Sequence, residues 1–444
     1  MPSYKKLKDA KVECYPTPIE ITDISAKVTL QSLLDHTCKR ILMIDSVDLQ
    51  ESSQLRLYTK WGCDGSSGQS EYKQILHDES SLISDSNLFV ASLVPIRLCD
   101  ELTQKVIWQN PSTASVRYCR PISIEFSKET PEKTRATVDE VEAQIRTLLR
   151  TSVTKNEKIV TIKHELMFTM IDGKVVQVLT NTPSSSTCVV CLAKPTEMND
   201  LDLVRQKQEN ENAFRFGLST LHSWIRFMEL VLHISYNLSF KKWAATTEDM
   251  KNEKQARKTY VQDRFRKEFG LIVDKPRQNS GNSNDGNTAR RFFANPACTA
   301  NITGVDEELI SRFHIILQTM SCGRQINPQK FGRYAFKTAQ LYVSKYKWYY
   351  MPSSLHKVLI HGENIIRYNA VLPLGQLSEE AQESRNKDYK FYRLHHARKC
   401  SRSATNEDVF NTLLFTSDPY ISSLRKVSTL VKDQLDEEAE QLLE

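Results

Sequence analysis

Three textures of apolar and polar positions follow one another along the chain. From about 54 to 180, β-branched, aromatic and aliphatic runs stand between turn signals: "LRLYTKWGCDG", "NLFVASLVPIRLC" and "SVRYCRPISIEFS". Such runs predict strands. "KTRATVDEVEAQIRTLLR" then places its apolar residues at helical spacing, and "KIVTIKHELMFTMIDGKVVQVLT" predicts two strands joined at Asp172-Gly173. Strands, a helix and a strand pair imply an α/β or α+β core. From about 200 to 350 the period is helical almost throughout, as in "LSTLHSWIRFMELVLHISYNLSFKKW". Residues 275–288, "KPRQNSGNSNDGNT", predict a loop, with helices resuming at about 305.

The flanks predict helix as well. "TDISAKVTLQSLLDHTCKRILM" is expected to form a helical lead-in. "PLGQLSEEAQESRNKDYKFYRLHHARKCSR" predicts a long helix, with Ser378 at its N-cap and Glu379 and Glu380 favoured by the helix dipole. The tail "KVSTLVKDQLDEEAEQLLE" predicts a helix with an acidic end.

Composition changes this picture little. The 444 residues are 40% hydrophobic and 26% charged, enough for two to four domains with ordinary cores. A net charge of +6 permits a nucleic-acid partner without demanding one. "MPSYKKLKDAKVECYP" has no apolar core of a secretory signal, and no apolar run reaches the ~18 residues of a membrane span. The ten scattered cysteines read as reduced thiols or metal ligands. No membrane association is expected, and the cytosol or nucleus follows.

Several short stretches carry candidate chemistry. "SSTCVVC" holds Cys188 and Cys191 at zinc-ligand spacing, half of a tetrahedral site. "SSLHKVLIHGEN" holds His356 and His361, the matching half. With His356 165 positions after Cys191, this is no compact finger but a staple across a helical region. Asp64 ends the first strong strand, Asp172 sits where two apolar runs meet, and Glu383 precedes Lys387 by four on the last long helix. Each acid also has a plainer reading: an Asp-Gly turn, a hairpin, a solvated ion pair. The basic stretches 241–267 and 385–402, the second with Tyr389, Phe391 and Tyr392 among its cations, suit a DNA backbone groove or simply a solvated face.

The order of these features, from about residue 55 to 425, resembles the Transib transposase superfamily and the catalytic subunit of the V(D)J recombinase. "CDGSSGQS", "MIDGKVV" and "AQESRNKDYKFYR" match the family's three acidic motifs, while "CVVC" and "LHKVLIH" match its zinc pairs. The resemblance implies a mixed α+β fold: an RNase H-like core split by a large helical zinc-bearing insertion, with a helical C-terminal region. It divides the chain into 1–53 (a shortened, helical pre-core region), 54–180 (first part of the core), 181–376 (the insertion with its zinc site), 377–403 (the catalytic glutamate helix) and 404–444 (a helical tail).

The resemblance also implies roles. Asp64, Asp172 and Glu383 become catalytic ligands of Mg2+ or Mn2+, with His222 of "STLHSW" nearby. Cys188, Cys191, His356 and His361 become ligands of a structural Zn2+. Arg290 and Arg291 of "DGNTARRFF" become DNA contacts, joined by Arg385, Lys387, Lys390 and Arg393 of the glutamate helix. Two-metal phosphoryl transfer would nick transposon ends, form hairpins on the flanking DNA and join the ends to target DNA. Trp348, Tyr349 and Tyr350 are candidates to hold a flipped base, or core aromatics. The implied partners are double-stranded DNA and a second copy of the chain, in the nucleus. Only 63 residues precede Asp64, fewer than such enzymes usually carry. The alternative is therefore a truncated or domesticated transposase-derived DNA-binding protein without catalytic activity.

Overall fold

The computed structural model describes residues 3–49, 53–69, 85–155, 157–276, 283–425 and 435–444. Parts of the expected 275–288 loop, of the stretch after Asp64 and of the C-terminal tail lie outside them. The chain forms two compact units: residues 1–178 with 379–432, and 179–378 with 433–444.

The first unit is built on a mixed sheet. Its strands are β1 (Ile19–Ile21), β2 (Ser25–Val28), β3 (Gln54–Ser67), β4 (Asn87–Asp100), β5 (Val106–Gln109), β6 (Arg120–Glu125), β7 (Thr151–Lys155) and β8 (Lys158–Phe168). They run in the order β1-β2-β6-β4-β3-β8-β7, with β5 paired to β4. All neighbours are antiparallel except β3 and β8, which are parallel from Gln54↔Thr161 to Trp61↔Phe168. β3 and β4 form a long antiparallel pair in which Asp64 faces Val90. Every residue from Leu57 to Cys63 is buried, so both faces of β3 are covered. That double burial explains why its sequence is a continuous apolar run rather than an alternating one.

Helices α1 (Tyr4–Val12), α2 (Leu30–Leu42), α3 (Pro131–Arg146) and α4 (Gly173–Leu179) belong to this unit. The remaining helices of the chain are α5 (Leu201–Gln206), α6 (Thr220–Tyr236), α7 (Glu248–Phe269), α8 (Gly286–Phe293), α9 (Pro296–Thr303), α10 (Glu307–Ser321), α11 (Pro328–Tyr346), α12 (Ser353–Tyr368), α13 (Glu380–His395), α14 (Arg402–Thr416), α15 (Pro419–Ser423) and α16 (Glu437–Gln441). Of these, α13, α14 and α15 complete the first unit, and the others form the second.

Three expectations are corrected. The lead-in is not wholly helical, because β1 and β2 extend the sheet edge beside β6 before α2 begins. The run after Asp172-Gly173 is not a strand but α4. Both neighbours of β8 are already in place, and Asp172 Oδ1 instead accepts the free N–H groups of Lys174 (3.0 Å) and Val175 (2.8 Å). A short apolar run preceded by Asp satisfies a helix N-terminus as well as a hairpin. Helices resume not near 305 but at Gly286, where the Asp285 side chain caps Thr288 N at 2.8 Å.

The second unit is helical. Phe227, Phe265, Phe292 and Phe313 are fully buried, and Phe227 and Phe313 meet edge-on at 4.9 Å. α11 and α12 pack as a helical pair, and α16 seats Ala439 and Leu442 on Ile315 of α10. Among the described residues no helix is long and apolar enough to cross a membrane.

A buried charge network ties distant parts of the first unit together. Asp418 accepts from Arg40 Nε at 2.8 Å and from its terminal nitrogen at 3.1 Å, lies 3.8 Å from Arg120, and caps Ile421 N at 2.9 Å. Burial pushes the Arg120 guanidinium down to about 10, and His36, beside it at 3.2 Å, is pushed down to about 3 by burial and then by Arg120 itself. Asp418→Ala would strand two buried guanidinium groups. It should cost about 3–5 kcal/mol, read as a fall in the urea midpoint; a loss below about 1 kcal/mol would mean the network is not what joins α2, β6 and α15.

Candidate functional site

The first unit gathers acids that are far apart in sequence. Asp64 stands on β3 on the same face as Lys60 and Gly62, since alternate residues of a strand share a face. Beyond the last β3–β8 pair, the N–H groups of Thr169 and Met170 both reach Trp61 O, at 3.2 and 3.1 Å. The chain therefore hugs the end of β3 for two more residues before Asp172 caps α4. Gly62 makes this possible: a Cβ there would lie 1.8 Å from Met170 O.

The third acid arrives on α13. That helix begins after the 3-10 turn Leu374–Leu377, and its N-cap position is Glu379 rather than Ser378. Gln382 bonds Ser92 of β4, and Asn386 Nδ2 donates to Asp64 Oδ2 at 3.0 Å. Glu383 lies one turn before Asn386 on the same helix face. Burial and then the charge of Asp172 push the half-buried Asp64 carboxyl up to about 7; Glu383 and Glu129 push the same way, and only the Asn386 bond opposes them. These acids are within electrostatic reach but are not closed on one another. Among the described residues, only the Cys/His group below draws three or more ligand atoms within 4.8 Å.

Two charged groups here escaped the sequence reading. Glu129 pairs with Lys174 at 2.9 Å, and a Cβ on Gly65 would strike its carboxylate at 2.7 Å, so it is a fourth acid beside Asp64. It sits in "SKETPEK", which reads only as a helix entrance. Lys60 is fully buried, and burial pushes its ammonium down to about 8 against the pull of Cys119, Glu379 and Glu380. A lysine within an apolar strand was the available signal.

The basic residues expected on DNA divide. Arg385 is buried and bonds Cys119 O (3.1 Å), Asp388 (2.8 Å), Leu413 O (3.4 Å) and Thr416 (3.2 Å). Arg393 is buried over the Phe126 ring at 4.3 Å and bonds Asp85 O at 2.9 Å. Both guanidinium groups are bonded within the first unit: an amphipathic helix needs something long on its inner face, and arginine fills it with its stem. Lys387 is exposed and Lys390 half-buried. In the second unit, Arg290 is half-buried over Trp224 at 5.9 Å, and exposed Arg291 bonds Phe269 O at 2.6 Å. His222 opens α6 in that unit, half-buried, with Nδ1 3.1 Å from the capping Ser219. Tyr349 is buried, and Tyr349 and Tyr350 pack on Trp243 at 4.5 and 5.1 Å.

The metal-type cluster lies wholly in the second unit. Cys188, Cys191, His356 and His361 are all buried, with their ligand atoms within 4.8 Å of one another. A tight turn presents the two thiols: Leu192 N returns to Cys188 O at 3.0 Å, Val190 N points at Cys188 Sγ at 3.4 Å, and Leu192 takes a positive φ of 56°. The two imidazoles project from α12 with their Nε2 atoms 3.3 Å apart, and His356 Nε2 is 3.3 Å from Cys191 Sγ. The Cys188 thiol is driven down by its bond with Cys191 and, against burial, by those with the histidines. Burial pushes His361 down, but Cys188 and Glu209 outweigh it and raise it to about 9. Two thiols and two inward Nε2 atoms fit a tetrahedral ion such as zinc. Glu209, which also bonds Asn364 at 2.7 Å, takes His361 Nδ1, the partner a ligating imidazole requires. The sequence reading missed it, since an acid far from either pair carries no spacing signal.

Two outcomes follow. Glu209→Ala should weaken zinc binding about 10–100-fold in competition with a chromophoric chelator; unchanged affinity would leave Glu209 without this role. In metal-free protein, Asp64→Asn should raise stability, because the native carboxyl titrates higher than the unfolded one. Below the unfolded value of 3.8 both states are protonated and no gain exists. The gain should open as pH rises towards about 7 and then level off, reaching of order 1–4 kcal/mol in melts across pH. A gain independent of pH would break the link to ionisation.

No protein-family model matches the chain, and no curated protein matches it. Among solved structures the chain is similar to one described as the Drosophila P element transposase strand transfer complex, at 9% identity and a TM-score of 0.34, over 96% of this chain and 86% of that chain. A likeness that slight carries no argument about mechanism, and the chemistry rests on the residues themselves.

Proposed function

We propose that the protein is a DNA transposase or recombinase of the DDE type, with an RNase H-like core interrupted by a zinc-bearing helical insertion, as in the Transib superfamily. The observation that carries this reading is the bond from Asn386 to Asp64, one turn from Glu383, with Asp172 and Glu383 both acting on the Asp64 carboxyl. Three acids from three remote segments gather in one unit, on a rigid strand end, a helix cap and a helix face.

Their chemistry fits hard divalent cations. An oxygen-only set of carboxylates, in which burial and then neighbouring negative charge push Asp64 up to about 7, gains most from Mg2+ or Mn2+. Bound there, such ions would supply charge stabilisation for the attacking and leaving oxygens of an in-line displacement at phosphorus. The chain's own part is positional. Asn386 fixes the Oδ2 side of Asp64. Asp172 spends Oδ1 on the α4 N-terminus and keeps its second oxygen for a ligand. Lys387 and Lys390 extend from the same helix towards solvent, where a phosphate backbone would meet them.

In this reading Cys188, Cys191, His356 and His361 hold a structural Zn2+ that pins the start of the insertion to its last helix. His222, Arg290 and Arg291 serve the DNA from the insertion. The enzyme nicks transposon ends, forms hairpins on flanking DNA and joins the ends to a target. It acts in the nucleus as a homodimer, because two ends must be cut.

The test is metal-dependent nicking of supercoiled DNA, and of DNA carrying the element's ends. Nicks and hairpins in Mg2+ or Mn2+, lost by at least ~100-fold in Asp64→Asn and in Glu383→Gln, are expected. Zinc-loaded, folded protein that binds DNA but never nicks it would instead identify a transposase-derived DNA-binding protein without catalysis.

A further inference from the structure

Helix α13 has a second face. Tyr392 follows Glu383 by nine residues, two and a half turns, so it projects from the side of the helix opposite the glutamate. There the first unit holds a cavity of about 290 Å³ lined by Lys11, Tyr15, Tyr392, His396, Thr412, Phe415 and Thr416. The volume is at the lower end of small-molecule sites.

The lining is specific in kind. Tyr15, Tyr392, His396 and Phe415 supply four flat rings, and Tyr392 and His396 stand 6.0 Å apart. Neither tyrosine hydroxyl has a hydrogen-bond partner among the described residues. Burial pushes the Tyr15 phenol up to about 12, which leaves it a donor. One cation stands at the wall: Lys11 Nζ lies 5.4 Å from the Phe415 ring centre. Thr412 donates its hydroxyl to Asp408 O, while Thr416 donates to Leu413 O and accepts from Arg385.

Lys11 belongs to a helix that buries nothing. α1 has no buried residue, and Lys5, Lys6 and Lys8 on it are exposed and form no ion pair among the described residues. Lys5, Lys8 and Lys11 succeed each other at one-turn spacing. Flat rings, unpaired phenols and one cation at the end of a lysine row match one chemistry: a planar heteroaromatic base with a phosphate attached.

The geometry points to a nucleotide-binding pocket between α1, α13 and α14, in which a nucleobase stacks against Tyr392 and Phe415 while its phosphate pairs with Lys11. The site is separate from the carboxylates and does not depend on the catalytic reading. Its occupant is either a free nucleotide or one nucleotide of a DNA strand whose further phosphates run along Lys8 and Lys5.

Calorimetric titration of the full chain with dAMP, with inorganic phosphate, and with a short 5′-phosphorylated oligo-dA separates these cases. Saturable binding of dAMP or the oligonucleotide is expected, at least about tenfold tighter than phosphate alone. Tyr392→Ala and Lys11→Gln should each weaken it about tenfold or more. Lys11 is exposed, so its replacement tests the pocket even if Tyr392→Ala disturbs folding. An oligonucleotide that binds about tenfold tighter than dAMP makes the occupant a strand; comparable affinities make it a free nucleotide. The pocket is refuted if neither ligand binds better than phosphate, or if binding persists in both variants when each folds and melts like the wild type.

Discussion

Position 62 tolerates no side chain. With Met170 O only 1.8 Å from where a Cβ would stand, the strand end and the segment leaving β8 meet backbone to backbone. That contact continues the parallel β3–β8 pairing past its last rung and delivers Asp172 beside Asp64. A parallel pair requires a long crossover, and the crossover here contains half of the sheet's strands, β4 to β7. One glycine thus closes a topological circuit of more than a hundred residues.

The cost of that closure is electrostatic. Asp172, Glu383 and Glu129 all raise the energy of an ionised Asp64, and among the described residues Asn386 offers it a neutral donor. The Asp64 carboxyl is accordingly pushed up to about 7, the kind of perturbation that clusters at functional sites. The unit compensates elsewhere, through the Arg40–Asp418–Arg120 network and through arginine stems packed under α13.

The second unit solves a different problem. Its two cysteines and two histidines come from opposite ends of a long helical segment, and helices alone give no reason for those ends to meet. An ion shared by four side chains would supply one, and Glu209 bonds an imidazole on the side away from the cluster, as such binding needs.

Much of this was legible in the residues. Apolar runs marked β3, β4 and β6, helical periodicity marked α6 and α10–α12, and spacing alone paired Cys188 with Cys191 and His356 with His361. The local code erred where two structures satisfy the same pattern. "DGKVVQVL" serves a hairpin or a capped helix, and only the occupied edges of β8 decide between them. "SRNKDYKFYR" reads as a uniformly basic face, yet burial takes Arg385 and Arg393 inward and leaves Lys387 outside. Glu129 and Glu209 carry no sequence signal because their roles depend on neighbours some tens to hundreds of residues away, and Lys60 showed only as a lysine within an apolar strand. By itself the sequence determined element types and the chemistry of its donor atoms, since both depend on residues within a turn or two. Which acids come within electrostatic reach of Asp64, which cations face solvent and which rings line a cavity were decided by tertiary structure alone, because charge and burial act through space and not along the chain.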